Sequence, residues 1–201
     1  MKTPIQIAFD ELIKNSFHSL LKPLKFKKKS LNFYRDLSEI GHIVQIQKSQ
    51  YSSSIKIKFT INISIFEPIF YLANRSNKVL PDYPTEPDCI IRKRISYFIN
   101  EIDHWFILGE NTDLAQLELT LKNHVINDIL PFFEKYHSLA TLKAGILNQD
   151  LDIHPYNQMI FFAEHHDIET AKYHYQQLLK TAEEPFLTTL HERAKYYQLT
   201  E

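Results

Sequence analysis

Three scarcities narrow what this chain can be. It has a single cysteine, Cys89, so no disulfide can close within it, which fits a reducing compartment. No histidine neighbours Cys89 in sequence, so it reads as a small buried hydrophobe and not as a nucleophile. It has three glycines, and no Gly-rich phosphate loop or dinucleotide fingerprint is present. A Gly-x-Ser-x-Gly elbow for hydrolysis is missing too, as are HExxH and paired-cysteine spacings for zinc. No run is long and apolar enough to span a bilayer. Asp10, Glu11 and Lys14 interrupt the apolar residues near the start, so no signal peptide is expected. Neither sign of charge dominates: 23 Lys and Arg stand against 24 Asp and Glu, so no global field draws the chain to nucleic acid or anionic lipid. The expectation is a cytoplasmic protein with no cofactor and no membrane partner.

What is present is ordinary globular material. Hydrophobic residues make up 44% and charged residues 23% of 201, enough for one domain with a core, or a domain with a helical extension. Thr3-Pro4-Ile5-Gln6 reads as a capped helix start. Apolar residues then recur at helical spacing from Ile5 to Leu21, and Pro23 stops the run. The period changes to two in 55–65, where every odd position is apolar and every even one polar. That pattern predicts a strand buried on one face only. Residues 41–49 alternate too, and Leu31, Phe33 and Leu37 mark an earlier strand. Short connections make the sheet an antiparallel meander. Residues 67–88, with Pro68, Pro81, Pro84 and Pro87, read as a loop. Segments 90–99 and 104–108 read as further sheet, the first with a helical alternative, and Trp105 as core.

From about residue 112 the pattern is helical, with Leu114, Leu117, Leu121, Val125 and Ile129 on one stripe and Pro131 as a kink or restart. A short helix follows around Leu139–Ile146, then a break at His154-Pro155. Helices are expected over 156–165 and 168–183, with Asp167 as a cap between them, and again after Pro185. The expected class is α+β: an N-terminal helix, an antiparallel meander sheet and a helical C-terminal half. The expected division is an α+β domain over 1–147 and a helical hairpin over 148–201 packed on it.

Several stretches in order carry a family resemblance: Phe26-Lys27-Lys28-Lys29, Asn32-Phe33-Tyr34-Arg35, Val44-Gln45-Ile46-Gln47-Lys48-Ser49, and Lys58-Phe59-Thr60-Ile61-Asn62-Ile63. Arg94-Ile95, Trp105 and Leu130-Pro131-Phe132 follow. The chain resembles the family catalogued as domain of unknown function 4304 over roughly residues 5–147. Where that family tends to carry glycine before the first Phe, after the Thr-x-Asn strand and after Arg-Ile, this chain has Lys25, Ser64 and Ser96. The resemblance implies an α+β fold and no particular chemistry.

The polar side of the sheet is the candidate binding surface. Tyr34, Gln45, Gln47, Thr60, Asn62 and Ser64 share one side by alternation, and amides and hydroxyls there can both donate and accept. The plain alternative is a solvated sheet face, or one bonded to the C-terminal helices. Arg35 belongs to the opposite, apolar side, where a guanidinium needs a partner: an anion, or more simply a structural pairing. Lys22, Lys25, Lys27, Lys28 and Lys29 form a basic run that suits phosphate, but also the protection of a sheet edge. Without a nucleic-acid motif, edge protection is the expected role. His165, His166, Glu169 and His174 lie close in sequence, but a cap at Asp167 breaks the helical register a metal site would use. The expected function is therefore a non-catalytic module that binds another protein, in an immunity or regulatory role. The competing expectation is an enzyme or small-molecule binder with a pocket between the polar sheet face and the C-terminal helices.

Overall fold

The structure, a computed structural model, describes residues 2–75 and 78–200. The strands are β1 (Lys27–Lys29), β2 (Asn32–Asp36), β3 (Gly41–Lys48), β4 (Lys56–Phe66), β5 (Ile91–Arg94) and β6 (Phe106–Gly109). The helices are α1 (Pro4–Ile13), α2 (Ser19–Leu21), α3 (Pro68–Ala73), α4 (Ile95–Phe98), α5 (Leu114–His124), α6 (Leu130–Lys135), α7 (Leu139–Leu147), α8 (Pro155–Glu164), α9 (Ile168–Leu179) and α10 (Phe186–Tyr196). The chain divides into two compact units: Met1–Phe66 with Asp82–Thr141, and Glu67–Pro81 with Leu142–Glu201. No helix among the described residues is long and apolar enough to cross a membrane.

In the first unit β4 is central. β3 pairs along one edge, and β5 and β6 share the other edge in series, every pairing antiparallel. β1 and β2 complete the meander beyond β3. The odd-numbered face of β4 is the core: Ile57, Phe59, Ile61, Ile63 and Ile65 are almost wholly buried. Five such side chains contribute on the order of 10 kcal/mol of burial. Helix α1 lies over this face, with Phe9 edge-on to Phe59 at 5.2 Å. The even face departs from the one-sided expectation, because Thr60, Asn62 and Ser64 are buried as well. A 3-10 turn at Glu86–Asp88 and helix α4 lie against it.

The N-terminal helix begins as the sequence indicates. Thr3 accepts from the Gln6 N–H, and the Gln6 side chain accepts from the Thr3 N–H. It then widens into a π-helical turn, Lys14–His18, before α2. The extra residue turns both Ser16 and Phe17 into the core, a shift that a 3.6-residue count does not give. A second π-helical turn, Val125–Ile129, joins α5 to α6 just before Pro131. A wider turn makes room for a ring that cannot donate a hydrogen bond. Helix α2 ends in a Schellman motif. The Phe26 N–H reaches Leu21 O at 3.2 Å and the Lys25 N–H reaches Lys22 O at 3.0 Å. Lys25 sits at φ 66°, in the left-handed region that favours glycine. This is the position where the resemblance expects glycine.

The second unit is helical. Its first helix, α3, falls inside the segment expected to be loop. Pro68 occupies the first helical turn, and the Glu67 carboxylate accepts from the N–H groups of Ile69 (3.0 Å) and Phe70 (2.6 Å). A proline that signals a loop is equally at home at a helix start. The part of that expected loop at positions 76 and 77 lies outside the described residues. Helices α8 and α9 form the expected pair, and Asp167 caps α9 through the Thr170 N–H. Arg193 in α10 donates to Ala73 O at 3.1 Å, and Tyr197 donates to Glu164 at 2.6 Å.

Candidate functional site

Sheet register decides which side chains meet. Asn32, Gln45, Asn62 and Arg94 stand opposite one another across β2, β3, β4 and β5, forming one row on the even face. Gln47 pairs with Thr60 one step along. Asn62 donates to Gln45 Oε1 at 2.9 Å and to Gln47 Oε1 at 3.0 Å, and Arg94 Nη2 donates to Gln47 Oε1 at 3.4 Å. A guanidinium can only donate, so the Gln47 atom facing it must be the oxygen. Asn62 must then present its nitrogen to that oxygen, and the same nitrogen fixes Gln45. Both glutamine NH₂ groups are thereby turned away from the network. They front a shallow polar cleft of about 660 Å³, whose walls include Glu86, Arg92 and Arg94.

The cationic wall is braced from outside. Arg92 Nε donates to Glu86 at 2.5 Å, and Arg94 Nη1 donates to Asp103 at 2.7 Å. Asp103 also accepts from the Trp105 indole at 2.6 Å. These two hydrogen bonds, the indole first, hold its carboxyl below the usual carboxylate range. Trp105 is not core. It is half-buried on the polar side of the sheet, with Lys58 5.1 Å and Arg94 5.4 Å from its ring. Such contacts are typical of cations over an indole face.

The remaining sequence candidates go elsewhere. Thr60 is consumed by a 2.8 Å bond to the His104 carbonyl. Ser64 is buried at the Cys89 thiol, which burial first, and Glu86 and Asp88 next, push well above its ordinary value. That thiol stays protonated and unreactive. Tyr34 packs edge-on to Tyr83 at 5.6 Å, and burial chiefly raises its phenol to about 12. Its ring lies so close over Gly41 that a Cβ there would collide with it. Arg35 is on the opposite face, as its parity requires. It lies 4.8 Å from the Phe26 ring and donates to His42 Nδ1 at 2.9 Å. So Gln45, Gln47 and Asn62 converge, while Tyr34, Arg35 and Thr60 make structural contacts and the Ser64 hydroxyl is buried without a hydrogen-bond partner among the described residues.

Sequence reasoning passed over His42. It is fully buried, stacked on Phe133 at 4.3 Å, and its Nε2 lies 2.8 Å from Tyr136 O. A carbonyl on one side and a guanidinium on the other require the neutral tautomer with the proton on Nε2. Burial pushes its pKa down to about 4. Its parity, shared with Val44 and Ile46, was the available signal. Arg92 and Glu86 were also missed. In the second unit, His165 lies 3.3 Å from the buried Glu67, and His174 stacks on Phe162. No group of three potential metal ligands occurs among the described residues. A larger hollow in that unit, about 790 Å³, is flanked by Leu151, Ile153 and Tyr173; Glu169 and His174 line it, and none of the sheet candidates does.

These features define a class: an α+β unit whose antiparallel sheet buries both faces, one by apolar packing and one beneath an amide–arginine network. The chain belongs to the family described as Domain of unknown function (DUF4304), whose model matches residues 17–135, a span that contains the whole sheet and the polar cleft. No curated protein and no solved structure matches the chain.

Proposed function

We propose that the protein is a non-catalytic binding module that recognises another protein through the polar cleft of its sheet. The observation that carries this is the fixed orientation of Gln45 and Gln47, which offer two amide donors side by side with Arg92 and Arg94. A preset row of donors suits the carbonyls and carboxylates of a polypeptide. Small-molecule pockets are usually deeper and lined mainly by apolar groups, whereas this cleft is shallow and its walls are polar. An immunity or regulatory role, exerted by occupying a partner's surface, is the form of this reading we adopt. A cytoplasmic setting belongs to the same proposal and rests on the lone, buried Cys89.

The test is affinity capture from native lysate with the wild type and with Gln47→Ala/Asn62→Ala in parallel, both shown by circular dichroism to be folded at the capture temperature. One stoichiometric partner, lost in the variant, supports the cleft as the binding surface. Equal capture by both baits would move the interface elsewhere. No partner for either would favour the small-molecule alternative.

A further inference from the structure

A second concentration of positive charge lies on the other side of the sheet. Residues 1–60 hold eleven Lys and Arg against four Asp and Glu, and the rest of the chain holds twelve against twenty. The near-zero net charge hides this asymmetry. Strand pleat divides the lysine run of β1. Lys28 stands opposite Phe33 and Lys27 opposite Tyr34, so the two project to different faces. Lys28 therefore shares the helix-covered face with Lys48, which stands opposite Phe59. There a cleft of about 540 Å³ opens, and Lys14, His18, Lys28 and Lys48 are among the residues that line it.

The cleft is short of negative charge. Its one carboxylate, Asp10, is taken by Lys2 at 2.6 Å. Among the described residues, Lys14, Lys28 and Lys48 have no carboxylate within ion-pair distance. Lys48 and Lys28 instead place their ammonium groups 4.4 Å and 5.9 Å from the rings of Phe9 and Phe33, which leaves the charges at the rim. His18 reports the resulting field. Burial lowers its pKa first, and then Lys28, Lys22 and Lys14 lower it further. Three elements, the π-helical turn, β1 and β3, thus bring like charges into one concavity. Like charges so placed repel each other and cost stability until a counter-charge enters.

We propose that this cleft binds a small polyphosphate anion, with Lys14, Lys28 and Lys48 as its ligands. Lysine suits the task because it is a compact point charge with three donors, and phosphate oxygens accept from any direction. No Phe, Tyr or Trp side chain lines the cleft, so the geometry selects the phosphates and not an attached base. This site is on the face opposite Gln45 and Gln47 and stands independently of the protein-binding reading.

Pyrophosphate is the probe. Calorimetric titration of the whole chain in low salt should give saturable one-to-one binding. Lys14→Met/Lys28→Met should weaken it at least about tenfold, the scale of losing one charge-assisted hydrogen bond. A control variant, Lys27→Met/Lys29→Met, removes two lysines that project to the other face and do not line the cleft, and should bind as the wild type does. The His18 ring resonances should shift on titration. Cooperative thermal melts at or above the wild-type temperature would show that both variants fold. Absence of saturable binding, or equal weakening in the two variants, would overturn the proposal and leave a diffusely basic face.

Discussion

The two faces of β4 are buried to nearly the same degree by different physics. On the odd face, five apolar side chains lose water to one another and to α1, and any of them could slide a little without losing much. On the even face, Thr60 and Asn62 are buried only because each has a partner at a set distance, the His104 carbonyl for one and two glutamine oxygens for the other. Apolar burial is forgiving in direction, while polar burial is directional and costly when incomplete. The first face supplies stability. The second supplies a rigid pattern of donors at the price of needing every partner in place.

The sharpest way to break this comparison is Ile61→Lys. It puts a charge in the middle of the odd face, and should cost several kcal/mol and unfold the first unit in thermal melts monitored by circular dichroism. A variant that melted like wild type would reverse the register of β4. Next is acid stability. His42 lies on the apolar side but is held by polar contacts, so it mixes both kinds of burial. Its folded pKa is depressed, so between about 6.5 and 4 the unfolded chain takes up a proton that the folded chain refuses. Stability from this group is complete above that window and falls as pH drops through it, by about 3 kcal/mol. His42→Gln keeps a donor for Tyr136 O and cannot titrate, so urea unfolding should show a correspondingly flatter dependence over that range. A slope equal to the wild type's would remove His42 as the source.

Smaller effects separate the polar face from mere cover. Asn62→Ala strips both glutamines of their shared donor and should cost about 1–3 kcal/mol in urea unfolding. A cost below about 0.5 kcal/mol would mean that the network is slack. Lys58→Ile is at the exposed end of the same face. It should change stability by no more than about 0.5 kcal/mol, with slightly altered Trp105 fluorescence because the ammonium 5.1 Å from the ring is gone.

What was legible followed from periodicity. The even–odd pattern of 55–65 specifies β4, and the same parity places Gln45, Gln47 and Asn62 on one side and Arg35 on the other. The capping chemistry at Thr3 and Asp167 was equally readable. Other parts left no periodic trace. β5 is four residues long and runs directly into α4, too short to show alternation, so Arg92 and Arg94 could not be aligned with Asn62. A π-helical turn is a single inserted residue, and nothing in composition marks it. Trp105 was assigned to the core by its size, yet its indole N–H found a carboxylate at the surface.

The chain's few glycines return in its helix ends. Lys25, His166 and Gln198 each adopt positive φ at a Schellman closure, and Asn100 and Gln149 do so after α4 and α7. Each side chain there crowds the backbone by an amount glycine would avoid, about 1 kcal/mol. Glycine would in turn give back part of that gain through a freer unfolded chain. The protein therefore carries a margin of thermal tolerance, spread over several positions that do not line the polar cleft. A lineage under heat stress, or an engineer, could draw on it one helix end at a time without changing a residue of the polar cleft.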